Sequence, residues 1–216
     1  MNFIDMKRDI IWITGPAATG KTFVINQLIN YFLNNIILTD ATEMLYLNKI
    51  DDSHSHHIHP GNNEGFLLTS SYHFDESVKR IYRKLLNKSN TSTVLVELAR
   101  GMGDFVHIDL SYRRFISLLP KQIFNRSIIL YVRTNWEKRL VRNLERGKLA
   151  FPQKVESQSF HVPIEAMEGF FKKDDFDVVK DSISCPIYIL NNESNTKIDL
   201  KEKIKDIALT IKHKYG

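Results

Sequence analysis

Only one cysteine occurs in the 216 residues, so no disulfide can close within the chain and no CxxC pair exists for redox or metal chemistry. Cys185 stands before Pro186 and an apolar run, the setting of a buried structural thiol. No apolar stretch approaches the roughly 20 residues of a membrane helix. The N-terminal stretch carries Asp5, Lys7, Arg8 and Asp9 where a secretory signal would be apolar. The expectation is a cytoplasmic protein with no membrane partner. No internal repeat or Gly/Ser linker divides the chain, and neither sign of charge dominates. Lys and Arg number 30 against 25 Asp and Glu, a net charge of +5 and a pI of about 9.2. The basic residues are scattered, so RNA is a compatible partner without being a demanded one.

Against these absences stands a hydrophobic share of 43%, enough for one substantial core. The expectation is one domain over residues 1–216, with a substrate-covering loop at 41–73 and a lid at 135–162. Short β-branched runs predict five strands: Ile10 to Thr14, Ile36 to Thr39, Thr93 to Val96, Ser127 to Val132 and Pro186 to Leu190. Helix-like periodicity fills the intervals, opening in the segment that carries Phe23, Ile25, Leu28, Ile29 and Phe32. It returns over 75–87, 110–119, 136–148, 164–171 and 200–214. Continuous apolar strands separated by helices indicate an α/β fold, a five-stranded parallel sheet covered on both faces. Ligands of such sheets bind beyond the carboxyl ends of the strands. Residues just past each strand therefore carry the functional expectations. Residues 51–65 and 149–162 read as irregular.

Past the first strand, Gly15-Pro16-Ala17-Ala18-Thr19-Gly20-Lys21-Thr22 matches the Walker A phosphate loop, GxxxxGK followed by Ser or Thr, between a buried strand and a helix. Its glycines let successive backbone N–H groups point into one concavity, and the helix N-terminus adds positive potential there. Lys21 is expected to neutralise the β- and γ-phosphates of ATP and Thr22 to ligate Mg²⁺. Glu97 ends the third strand where a Walker B acid would hold magnesium. Asp40 ends the second strand and could accept a proton from a substrate hydroxyl. Asp40 also starts Asp-Ala-Thr-Glu43, a capping-box pattern with a purely structural role; Asp40, Glu43 and Arg100 are the substrate-binding candidates. Arg139, Arg142 and Arg146 recur at i, i+3 and i+7, one helix face, suited either to clamping phosphate or to pairing with Glu137 and Glu145.

These features resemble the P-loop kinases of the nucleoside/nucleotide kinase type. The resemblance implies a three-layer P-loop NTPase fold, an Arg-rich lid and transfer of the γ-phosphoryl group of ATP. It does not supply the acceptor, which is expected to be a small molecule bearing a hydroxyl or a phosphate. In deoxynucleoside kinases a Glu-Arg pair follows the third strand; Glu97 and Arg100 are spaced differently. Val162-Pro163-Ile164-Glu165-Ala166-Met167, with Phe170 and Phe171, is similar to the segment after the lid in kinases like the seryl-tRNA(Sec) kinase. An NTP-binding regulatory or RNA-associated module with slow hydrolysis is the alternative.

Two further patterns need weighing. His54, His56, His57 and His59 stand with Asp51 and Asp52 in nine residues, and could chelate a metal or form a polar loop over the substrate. Asn48-Lys49-Ile50-Asp51 spells NKxD, but after the second strand, the wrong context for guanine recognition; no DxxG follows the third strand. A GTPase switch is disfavoured on both counts.

Overall fold

A computed structural model describes residues 7–32, 34–50, 56–58, 66–68, 70–88, 92–150, 162–193 and 196–215. Five strands form a parallel sheet: β1 (Ile10–Gly15), β2 (Ile36–Thr39), β5 (Val94–Ala99), β6 (Ser127–Arg133) and β7 (Ile187–Asn191). Their order is β2-β5-β1-β6-β7, or 2-3-1-4-5 when only these strands are counted. Every predicted strand is present, and all ends agree within one residue except that β5 runs three residues past its expected end, which places Glu97 inside the strand.

Strand periodicity divides the core into two layers. Ile10, Trp12, Val94, Val96, Ile129 and Tyr131 face one side, packing on α3 (Tyr72–Leu86), α4 (Tyr112–Leu118) and α8 (Phe176–Val179). Ile11, Ile13, Leu95, Ile128, Leu130 and Val132 face the other, against α1 (Lys21–Leu28) and α9 (Lys197–Tyr215). The central strands β1, β5 and β6 are largely apolar because both of their faces are covered, while the edge strands β2 and β7 are partly exposed. The connection leaving β1 therefore runs over one face while the helices after β5 run over the other. Such a divergence opens a crevice at the carboxyl ends of the strands. A third apolar cluster, including Ala17, Met44, Phe74, Leu110, Met167 and Phe170, packs beside that crevice.

Other sequence expectations change, among them the starts of α3 and α9, each three residues earlier than expected. Within the stretch read as a loop, β3 (His56–Ile58) pairs antiparallel with β4 (Phe66–Leu68). The helix expected over 110–119 is α4, which ends before Pro120, and a short α5 (Lys121–Asn125), not expected from the sequence, follows with Pro120 as its N-cap. The helix α6 (Trp136–Ala150) runs two residues past the expected end. The capping box also fails. In α2 (Asp40–Ile50) the Thr39 hydroxyl accepts from the Thr42 N–H at 3.0 Å, so Thr39 caps the helix and Asp40 is free to turn toward β5.

One turn fastens the carboxyl end of the sheet. Just past α7 (Ile164–Phe171), Lys173 exchanges backbone hydrogen bonds with Met102. Asp174 accepts from the Tyr131 hydroxyl at 2.8 Å, and Asp175 accepts from the Tyr112 and Arg113 N–H groups that open α4. Asp177 pairs with Arg133.

Candidate active site

The phosphate loop leaves β1 at Gly15 and returns into α1 at Lys21. Gly15 has φ +154°, and a Cβ there would lie 2.5 Å from the Val132 carbonyl oxygen. Gly20 caps α1 with φ +95°, and a Cβ there would lie 2.6 Å from Asn192 Nδ2. Both positions disfavour a side chain on conformation, and at Gly15 fixed backbone also denies it space. The first turn of α1 holds no acidic residue, so its terminal N–H groups keep their positive potential.

Lys21 is buried, and its ammonium donates to the Gly15 and Pro16 carbonyls at 3.0 and 2.8 Å. Burial pushes its pKa down to about 8, against the pull of Glu97 and Asp40; Arg146 and Arg139 push it lower still. An anion in the loop would oppose all three downward effects.

Thr22 Oγ1 donates to Glu97 Oε1 at 3.0 Å, which brings together the hydroxyl and carboxylate expected at magnesium. Burial is the main cause raising the Glu97 pKa; Lys21 lowers it and Asp40 raises it. Oxygen donors and an acid whose charge is poorly solvated fit a hard divalent cation. Among the described residues no cluster of three or more His, Cys, Asp and Glu gathers for a metal. A magnesium shell here would be completed by phosphate and water.

Asp40 is buried, and its Oδ2 accepts from the Ala99 N–H and from Arg100 Nη1, both at 3.0 Å. Arg100 is buried too, its guanidinium 5.6 Å from the Phe74 ring centre and 5.7 Å from that of Phe115. Its charge is met by Asp40. Glu43 lies apart from this pair, buried between Arg80, at 2.9 Å, and Lys84 of α3.

The three arginines of α6 do not act alike. Arg139 is buried and donates to the carbonyls of Thr134 (3.1 Å), Lys172 (3.0 Å) and Phe171. Carbonyls at a helix C-terminus lack intrahelical donors, and this guanidinium supplies them at the end of α7. Arg142 reaches the Asn192 carbonyl at 3.2 Å and Thr134 Oγ1 at 3.4 Å. Arg146 lies near enough to lower the pKa of both Lys21 and Glu97.

A groove of about 700 Å³ opens beside Gly20, between Phe23 of α1, Lys138, Val141, Arg142 and Glu145 of α6, and Asn192, Lys197 and Leu200. Its two far walls are joined where Glu193 accepts from the backbone and side chain of Asn135. Sequence reasoning missed Thr134 and Asn192, although both follow strands and the strand-end rule that found Asp40 and Glu97 would have found them. His54, His59 and residues 151–161 of the expected lid lie outside the described residues, as do the side chains of Asn48, Lys49, His56 and His57, so neither the histidine reading nor the NKxD reading meets a described side chain.

A five-stranded parallel sheet of order 2-3-1-4-5, with a phosphate loop after its central strand, is the P-loop kinase-like α/β fold. Among solved structures the chain is similar to a sugar kinase from Janibacter sp. HTCC2649 (10% identity, TM-score 0.52, 94% of each chain) and to APE1195 (15%, 0.52, 96% of each chain). A shikimate kinase from Acinetobacter baumannii in complex with shikimate aligns at 17% identity and TM-score 0.49, over 96% of each chain. No family model matches the sequence, and no curated protein does. No helix among the described residues is long and apolar enough to cross a membrane.

Proposed function

We propose that the protein transfers the terminal phosphoryl group of ATP to a small acceptor. The observation that carries this reading is the convergence on one loop of Lys21, the Thr22–Glu97 pair and Asp40. Lys21 and the loop N–H groups would take the β- and γ-phosphates, and the groove beside Gly20 the nucleoside. Thr22 and Glu97 would hold magnesium, which when bound neutralises phosphate charge. Asp40, fixed through Oδ2, would accept the proton of an attacking hydroxyl as its oxygen bonds to the γ-phosphorus and the bond to the β–γ bridging oxygen breaks. The products are ADP and a phosphate ester.

The surroundings of Asp40 favour a hydroxyl acceptor over a phosphate one. Among the described residues, the Arg100 charge is matched by Asp40, Arg80 pairs with Glu43 and Arg114 pairs with Asp75. A dianionic acceptor would need an uncommitted guanidinium there. The test is γ-labelled ATP with pools of polyols, hydroxy acids, nucleosides, nucleoside monophosphates and tRNA. Label on an alcohol supports the proposal, and label on a nucleoside monophosphate refutes the acceptor assignment. Slow release of inorganic phosphate alone, whatever the pool, refutes the kinase reading.

A further inference from the structure

Asn192 lies at the end of β7, 173 positions from the residue it holds. It is buried, and its Nδ2 donates to the Thr19 carbonyl at 2.7 Å. The Thr134 hydroxyl reaches the same carbonyl from the β6 end, at 3.3 Å. The amide orientation follows from its partners: Nδ2 faces a carbonyl while Oδ1 faces the Arg142 guanidinium at 3.5 Å, and the reverse assignment would oppose like groups on both sides.

The Thr19 carbonyl belongs to the same planar peptide as the Gly20 N–H. Fixing the carbonyl toward Asn192 therefore turns that N–H the opposite way. The amide also closes off the space that a side chain on Gly20 would occupy. We infer that Asn192 is a positioning residue for the phosphate loop: it holds the Thr19–Gly20 peptide so that the Gly20 N–H points into the anion cradle. Its backbone is held in turn, the N–H donating to the Arg133 carbonyl at 2.8 Å and the carbonyl accepting from Arg142. Helix α6 and the loop thus share one anchor.

This inference rests on the triphosphate reading of the loop, and its test separates the two. Binding of MgATP and of inorganic tripolyphosphate is measured calorimetrically for the wild type, Asn192→Ala and the near-isosteric Asn192→Asp, with apo melting temperatures alongside. Asn192→Ala is expected to weaken both probes by the same factor, about tenfold for one lost hydrogen bond. Asn192→Asp removes the donor, adds a negative charge and should lose more. A groove-wall role would weaken MgATP alone, and that outcome overturns the inference. So does wild-type affinity for tripolyphosphate in Asn192→Asp, the variant that preserves packing should Asn192→Ala fail to fold. A wild type that binds neither probe refutes the triphosphate site itself.

Discussion

Raising the pH across the titration of Lys21 probes the phosphate loop directly. The ordinary lysine value is 10.5, and in the empty loop burial brings it to about 8. Between those values the unfolded chain holds the proton and the folded chain does not. Stability therefore rises with pH through that window and levels off above 10.5. Below pH 8 the full penalty applies, about 3 kcal/mol at 1.36 kcal/mol per unit. Lys21→Met removes the penalty and also two hydrogen bonds, to Gly15 and Pro16, worth about 1 kcal/mol each. The variant should be about 1 kcal/mol more stable than the wild type at pH 7 and about 2 kcal/mol less stable near pH 10.5. Denaturant unfolding at the two pH values reads this crossing. Triphosphate in the loop should restore the proton, so at pH 9 wild-type binding should take up close to one proton, visible as a dependence of the calorimetric heat on buffer ionisation. A stability difference that keeps one sign at both pH values, or binding heats independent of buffer, would refute the reasoning.

Removing one member of the buried Asp40–Arg100 pair strands the other charge, so Asp40→Leu should cost about 3–5 kcal/mol in denaturant unfolding. The double variant Asp40→Leu/Arg100→Leu should recover most of that loss while remaining without transferase activity. Glu97→Gln should abolish the tightening of ATP by magnesium and leave magnesium-free ATP binding within about threefold; an undiminished magnesium effect in titrations would contradict the metal assignment. Arg139→Ala should lower stability by roughly 3 kcal/mol through three stranded carbonyls, while Arg146→Ala should spare stability and weaken triphosphate binding. Equal stability losses in the two would remove the distinction drawn between them.

How far the sequence could be read depended on how local each cause was. The strands and the phosphate loop announce themselves because β-branched runs and a contiguous motif act within a few residues. Asp40 and Glu97 were found by one rule, that parallel sheets bind ligands beyond the ends of their strands, although β5 runs on to Ala99 and holds Glu97 two residues inside its end. The fate of Asp40 was not legible: Thr39, Asp40 and Glu43 all suit a helix start, and only the position of β5 decides that Thr39 caps while Asp40 turns to Arg100. Arg139 shares a helical face with Arg142 and Arg146, yet its partners are carbonyls at Phe171 and Lys172, which no periodicity marks. The hairpin of β3 and β4 hid because three-residue strands carry too little pattern to stand out among histidines and asparagines.

The turn after α7 also bears on the order in which the chain can assemble. Its fastenings, at Met102, Tyr131, Arg133, Arg139 and the start of α4, all lie earlier in the sequence and come from separate segments. During synthesis those segments lack these fastenings until residues 172–177 have been made. The phosphate loop, translated among the first residues, likewise awaits Asn192. A ribosome-bound chain stopped before residue 172 would carry the whole Walker motif and still lack the frame that aims it. Nucleotide binding by such arrested chains, measured as a function of length, should appear as a late step, not as a gradual gain.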